Sequence, residues 1–162
     1  MQQGKTITEL RPFTKQDAAG FAALYAAPAV NHGQAVQEPA ETDLQLLHRI
    51  GSLCSVHLGI FVDGKLIGDC ALHHWIPSSA ELEIGGALLP EFQGLGIMSK
   101  AFVHLIAIAR EMGAMRIIGR THPQNDAAIR LVERLGFVKT GIENGEMVLR
   151  HDIGRDRIHE LR

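Results

Sequence analysis

Cysteine is nearly absent: the 162 residues hold two, Cys54 and Cys70, and neither stands in a CxxC or other metal-ligand spacing. A chain of this length buries a full core without covalent staples, so both are expected as core thiols and no disulfide framework is implied. No apolar run approaches the ~20 residues of a membrane span, and Met1 to Lys5 leads into a polar-alternating stretch instead of a signal-type apolar region. A soluble cytoplasmic protein with no membrane partner is the expectation. One-sided charge is also missing: 16 Lys plus Arg face 18 Asp plus Glu, with no basic block to track a nucleic acid. Nor is there an internal repeat, a low-complexity tract or a Pro/Gly/Ser linker, so residues 1–162 read as one domain.

What is present reads as alternating elements of a folded domain. Thr6 to Pro12 is the first expected strand, and Thr14 with Asp17 resembles a capping arrangement ahead of a helix. Ala18, Phe21, Ala22 and Tyr25 give that helix one apolar face, and it stops near Ala27-Pro28. Pro28 to Pro39 has neither period and reads as an irregular loop of the kind that meets substrates, with a short helix from Thr42. Val56 to Val62 and Lys65 to His74 flank Asp63-Gly64, a strong hairpin signal. Glu81 to Leu89 is a further strand, interrupted at Gly85-Gly86 and stopped by Pro90. Ser99 to Met112 is apolar over most of its circumference and is expected as a helix buried against a sheet, closed by Gly113. Then come a strand over Arg116 to Thr121 and a helix capped by Asn125 or Asp126, with the stripe Ala128, Leu131, Val132 and Leu135. Phe137 to Gly141 and Glu146 to His151 make a closing strand pair. The order predicts an α/β fold of the α+β type: a mixed, mostly antiparallel sheet of about seven strands with helices on both faces.

The informative segment is Leu89-Pro-Glu-Phe-Gln-Gly-Leu-Gly-Ile-Met-Ser-Lys100, where a strand end, a glycine turn and a helix start follow one another directly. Unpaired N–H groups and the partial positive charge of a helix N-terminus receive phosphate oxygens. Gly94 and Gly96 let the backbone turn sharply and come close to such a ligand. Two phosphate motifs fail here. A P-loop needs GxxxxGK[ST], and Gly94 is followed by Ser99-Lys100-Ala101. A dinucleotide fingerprint needs a third glycine where Ser99 stands.

Gln93-Gly94-Leu95-Gly96-Ile97-Met98 instead resembles the Gln/Arg-x-x-Gly-x-Gly/Ala acetyl-CoA loop of the GNAT superfamily of N-acetyltransferases, departing only at Met98, where the last small residue would stand. Leu10-Arg-Pro-Phe-Thr14 with Asp17 looks like the family's opening strand and helix, and Glu83-Ile-Gly precedes the loop at the usual distance. Thr121-His-Pro-Gln-Asn125, then Ala128 and Leu135-Gly-Phe137, look like its second signature. The details lean to the branch of ribosomal-protein alanine N-acetyltransferases.

The resemblance implies an acetyl-CoA-dependent N-acetyltransferase that moves the acetyl group directly to a primary amine in a ternary complex. The pyrophosphate would lie on Gln93 to Ser99. Pantetheine would pair with the strand edge at Ala87, Leu88 and Leu89, where an N–H near Gly86 to Leu88 would also stabilise the oxyanion. Asn125 would contact the pantetheine arm, or serve simply as a helix N-cap.

An amine must lose its proton to attack a thioester, and Glu81 and Glu83 share one strand face, so either is a candidate base; Glu83 matches the family's Glu-Ile-Gly. The family's usual acidic Tyr is replaced by Val132, and the only tyrosine, Tyr25, is on the first helix. A thiol of pKa about 8.5 leaves without a dedicated acid.

Acceptor contacts are expected from Asn31, His32, His74 and Trp75. Residues 35–99 hold two basic and eight acidic residues, while 100–134 hold six and three, which suits a cationic amine. Adjacent strand residues point to opposite faces, so His73 and His74 are not expected to share a metal. With His32 and His122 they give no tetrahedral ligand set, and no metal is predicted. Val132 motivates the alternative of a non-catalytic acyl-CoA-binding regulatory module. Acetyl-CoA and an amine are the expected partners, with the chain a monomer or homodimer.

Overall fold

β-branched alternation, turn glycines and helix caps place the elements. In a computed structural model, which describes Ile7 and residues 9–154, the strands are β1 (Glu9–Pro12), β2 (Cys54–Val62), β3 (Lys65–Ile76), β4 (Glu81–Leu88), β5 (Arg116–Thr121), β6 (Val138–Glu143) and β7 (Glu146–Asp152). The helices are α1 (Ala18–Ala26), α2 (Pro28–Asn31), α3 (Asp43–Ser52), α4 (Ile97–Glu111) and α5 (Asp126–Arg134). Thr6 and Thr8, part of the first expected strand, lie outside the described residues. The strands form one seven-stranded sheet in the order β1-β2-β3-β4-β5-β7-β6. It is mixed: β1 runs antiparallel to β2 and β7 antiparallel to β5 and β6, whereas β4 runs parallel to β5. This is the expected α/β architecture.

Both tight hairpins use left-handed residue pairs. Asp63 (φ 50°) and Gly64 (φ 79°) join β2 to β3, and Asn144 (φ 50°) and Gly145 (φ 79°) join β6 to β7. Two successive positive φ values match the right-handed twist of the flanking strands, and Asp-Gly and Asn-Gly are the pairs that reach them at least strain.

The chain divides into two units, one of the described residues up to Ala71 with Gly86–Ala101, the other of Leu72–Gly85 with the described residues from Phe102. In the first, Ala18, Phe21 and Ala22 of α1 bury against Leu46 and Leu47 of α3, with Phe13, Tyr25 and Leu66 packed around them. Each large side chain removed from water there contributes about 1.5–3 kcal/mol. Thr42 caps α3 by accepting the Gln45 N–H, with the Gln45 side chain returning to the Thr42 N–H. Thr14 and Asp17 form the same reciprocal box ahead of α1, which Arg11 braces through two bonds to the Asp17 carboxylate at 2.7 and 3.0 Å. In the second unit Leu82, Leu105, Ile117, Leu149 and Ile153 are fully buried.

Four readings need correction. Pro28–Asn31 is helical, because proline at the first helical position is preset for a helix and loses no bond there; left-handed His32 (φ 55°) ends it. β4 runs through Gly85-Gly86 to Leu88, and α4 starts at Ile97, two residues before Ser99. In α5 the deeply buried residues are Ile129 and Val132, while Ala128, Leu131 and Leu135 are only partly covered.

Candidate functional site

In the first unit β4 delivers the chain into a short 3-10 turn over Pro90–Phe92, whose Phe92 is buried. Gln93 is extended, and its side-chain amide donates to the Leu88 carbonyl at 3.1 Å, tying the loop back to the strand end. Gly94 (φ 73°) and Gly96 (φ 79°) are both left-handed, and a Cβ on either would meet nothing within 4 Å. Packing therefore does not demand glycine; the backbone conformation does, and it leaves the loop open to a ligand. The first intrahelical bond of α4 runs from the Lys100 N–H to the Gly96 carbonyl at 3.2 Å. The N–H groups of Ile97, Met98 and Ser99 precede it and have no intrahelical acceptor.

Met98 faces the strand. A Cβ on Gly86 would stand 3.0 Å from Met98 Cε and 2.6 Å from the Asp69 carbonyl oxygen. Gly86 is thus a close-approach glycine, and the thioether fills space over β4.

The strand edge is already partly used. Asp69, 2% exposed, accepts the Ala87 N–H on Oδ1 at 3.1 Å, while Oδ2 accepts the Tyr25 hydroxyl at 2.7 Å and pairs with His57 Nε2 at 2.8 Å. The Leu89 N–H donates to the Ile67 carbonyl at 2.9 Å. Ala87 and Leu89 therefore do not offer free donors, which corrects the expectation of an open edge at both. Burial, followed by the Asp69 charge, pushes the Tyr25 hydroxyl far above its usual range, so it stays a donor. Burial also lifts the Cys70 thiol to about 12, in keeping with a core thiol.

Asn31 donates to the Tyr25 carbonyl at 3.0 Å and accepts the Gly33 N–H at 2.8 Å, so both ends of its amide hold a turn. His32 is the left-handed cap of that turn.

The second unit brings charged groups together on β3, β4 and β5. The β4–β5 ladder runs from Glu81↔Arg116 to Ile84↔Gly119, while β4 itself carries on to Leu88. Glu83 Oε1 accepts Arg120 Nε at 3.0 Å, and Arg120 Nη1 donates to Glu143 at 3.0 Å. Glu83 Oε2 faces His74 Nδ1 at 3.4 Å and His73 Nδ1 at 3.7 Å. Glu81 shares this strand face and sits 3.8 Å from Arg116, which is itself bound to Asp152 at 2.8 Å.

His73 and His74 do not diverge as strand neighbours should. Left-handed His74 (φ 53°) breaks the alternation, and the two Nδ1 atoms stand 2.6 Å apart. Burial pulls the His73 imidazole below its ordinary pKa, only partly offset by Glu83. Trp75 follows, 36% exposed.

Asn125 caps α5: its carbonyl oxygen accepts the Ala128 N–H at 3.2 Å and its amide donates to Thr121 Oγ1 at 3.2 Å. Both of its polar ends serve the cap. Val132 is buried.

Three residues that organise these surroundings escaped sequence reasoning. Asp69 carried a signal, a single acid inside the apolar run Leu66–His74; His57 and Arg120 carried none until strand register paired them.

The match to known proteins follows the same segments. Residues 8–138 match the family model described as an acetyltransferase (GNAT) domain. The chain belongs to that family. Among curated proteins it is similar to Putative ribosomal N-acetyltransferase YdaF of Bacillus subtilis (strain 168), 31% identical over 90 residues, which are 55% of this chain and 49% of that one. The chain thus matches about half the length of this relative. Among solved structures it resembles the ribosomal-protein-S5-alanine acetyltransferase of Vibrio fischeri, with 21% identity, a TM-score of 0.70 and coverage of 88% of this chain and 91% of that one. It also resembles the PaiA N-acetyltransferase of Thermoplasma acidophilum in complex with coenzyme A, with 19% identity, a TM-score of 0.71 and coverage of 89% and 98%. These likenesses establish the fold.

Proposed function

We propose that this chain is one domain that transfers the acetyl group of acetyl-CoA directly to a primary amine, a peptide N-terminus being the first acceptor to test. The observation that carries the reading is the loop opening α4: left-handed Gly94 and Gly96 ahead of the N–H groups of Ile97, Met98 and Ser99, which have no intrahelical acceptor. The family supports an acyl-CoA as the anion, and a structural relative is described in complex with coenzyme A. The pyrophosphate lies on Gln93 to Ser99. Pantetheine runs along the end of β4, the strand that outlasts its ladder with β5. With the Ala87 N–H held by Asp69 and the Leu88 carbonyl taking the Gln93 amide, the Leu88 N–H is the better candidate to meet its amides.

The attacking amine is neutral, and Glu83 accepts the proton released as the tetrahedral intermediate forms, Glu81 being the second candidate. Arg120 holds Oε1 of Glu83 and leaves Oε2 to do so. The thiolate leaves without a side-chain acid, since Val132 is apolar. His74, Trp75, Asn31 and His32 are proposed on the acceptor side, the last two as backbone scaffold; Asn125 supports the pantetheine region through its cap. Among the described residues no helix is long and apolar enough to cross a membrane, and the cytoplasm is the proposed setting.

A second reading, a regulatory module that binds acyl-CoA without turnover, is favoured by Val132 and by the ion pairs that engage Glu83. Both predict binding. A thermal shift with acetyl-CoA tests the shared part: ligand at ~100 times its Kd adds about 2.7 kcal/mol, and no shift at millimolar acetyl-CoA overturns both. Thiol release with a peptide acceptor, abolished in Glu83→Gln, supports the enzyme; silence across α-amine and polyamine acceptors supports the module.

A further inference from the structure

We propose that His73, His74 and Glu83 form a binding site for a divalent transition-metal ion, with zinc the best fit. His73 Nδ1, His74 Nδ1 and Glu83 Oε2 lie within 4.8 Å of one another, the one such group found among the described residues. Their separations are 2.6, 3.4 and 3.7 Å, and three atoms so spaced share a point about 2 Å from each, the length of a zinc bond to imidazole nitrogen or carboxylate oxygen. At that bond length the 2.6 Å nitrogen pair subtends only about 80° at the ion, so binding draws the two imidazoles slightly apart toward the tetrahedral angle. Two imidazoles and a carboxylate match the borderline softness of zinc, nickel or cobalt and not the all-oxygen preference of magnesium or calcium.

The backbone contributes to this geometry. An ordinary strand would send adjacent side chains to opposite faces, and left-handed His74 brings its ring to the side of His73. Gly85 lies beside the His73 ring, where a Cβ would stand 3.4 Å from His73 Nε2. Behind the carboxylate, Arg120 holds the other oxygen at 3.0 Å and fixes its orientation, as partners of metal ligands do. Its positive charge lowers affinity for a cation, so a micromolar site is expected, not a tight structural one. The His74 side chain is 71% exposed, which leaves the fourth coordination position to water and the site open to exchange. Without metal, the 2.6 Å contact needs a proton on one Nδ1; ion binding moves that proton to Nε2.

The test uses the full chain, stripped with a chelator and desalted. Calorimetric titration with zinc and absorption titration with cobalt(II) should show one saturable site, with a visible d–d band for cobalt. Affinity should fall at least tenfold in His74→Ala and in Glu83→Gln. The exposure of His74 makes its variant safe to fold, and thermal melting without metal checks both. Unchanged zinc affinity in His74→Ala assigns the ion to other histidines and overturns the proposal, as does an absence of saturable binding at millimolar zinc. Neither outcome bears on the acetyl-CoA shift, so this proposal and the proposed activity fail separately.

Discussion

Asp69 Oδ1 accepts the backbone N–H of Ala87 at 3.1 Å, joining the only fully buried charged side chain among the described residues to the strand that feeds the glycine loop. The other oxygen takes the Tyr25 hydroxyl and His57 Nε2 at 2.7 and 2.8 Å. Both carboxylate oxygens are thus spoken for. In Asp69→Asn one of them becomes an amide NH2, which leaves a buried donor without an acceptor and removes the negative partner of His57. Urea unfolding should show a loss of about 3 kcal/mol, against about 1 kcal/mol for Tyr25→Phe. Because both changes touch one network, their double variant should lose less than the sum. An Asp69→Asn protein as stable as wild type contradicts the assigned bonds.

Glycines on and after β4 make opposite predictions. Gly86→Ala places a Cβ 2.6 Å from the Asp69 carbonyl oxygen, a backbone atom that cannot step aside. That variant should melt several degrees lower. Gly94→Ala and Gly96→Ala clash with nothing, and their left-handed φ costs only about 1–2 kcal/mol. They should fold, yet bind acetyl-CoA at least tenfold more weakly because the loop relaxes from the ligand. Full acetyl-CoA affinity in Gly94→Ala would mean that this loop does not hold the donor.

Acid stability tests the entry to α1. The Arg11 guanidinium, helped by the Thr14 N–H, holds the Asp17 carboxyl down at about 2, below the ~3.9 of an unfolded aspartate. A lowered folded pKa contributes stability above the unfolded value, and that contribution drains away as pH falls toward the folded one. Melting of wild type and Asp17→Asn should therefore differ most above about pH 4 and converge toward pH 2. A gap constant across that range would assign the effect of the substitution to something other than the carboxylate charge.

How far the sequence spoke depended on whether a feature is local. The Asp63-Gly64 hairpin, the start of a helix at Thr42, the cap at Asn125 and the Gln93–Met98 loop are written in neighbouring residues, and each was legible. α2 was missed because four residues are too few to show a period. The role of Gly86 was hidden since its neighbours, Asp69 and Met98, arrive from other elements. His74 shows the limit most clearly. Strand alternation is a sound rule, and it fails where one residue takes a positive φ that no sequence pattern marks.

That same residue yields the last prediction, because an ion on the histidine pair and a base at Glu83 need one oxygen. Oε1 of Glu83 is held by Arg120 at 3.0 Å, so Oε2, 3.4 Å from His74 Nδ1, must serve either the metal or the amine proton. Zinc should act as a reversible inhibitor: turnover falls with a midpoint near the zinc Kd, acetyl-CoA binding is unchanged, and EDTA restores the rate. In His74→Ala the fractional inhibition at the same zinc concentration should be much smaller, because one of three ligands is gone. Glu83→Gln should bind acetyl-CoA normally and turn over at a small fraction of the wild-type rate, as removal of a general base costs typically 10²–10⁴-fold. Zinc that stimulates turnover would reverse the assignment, making the ion a participant and Glu83 its ligand.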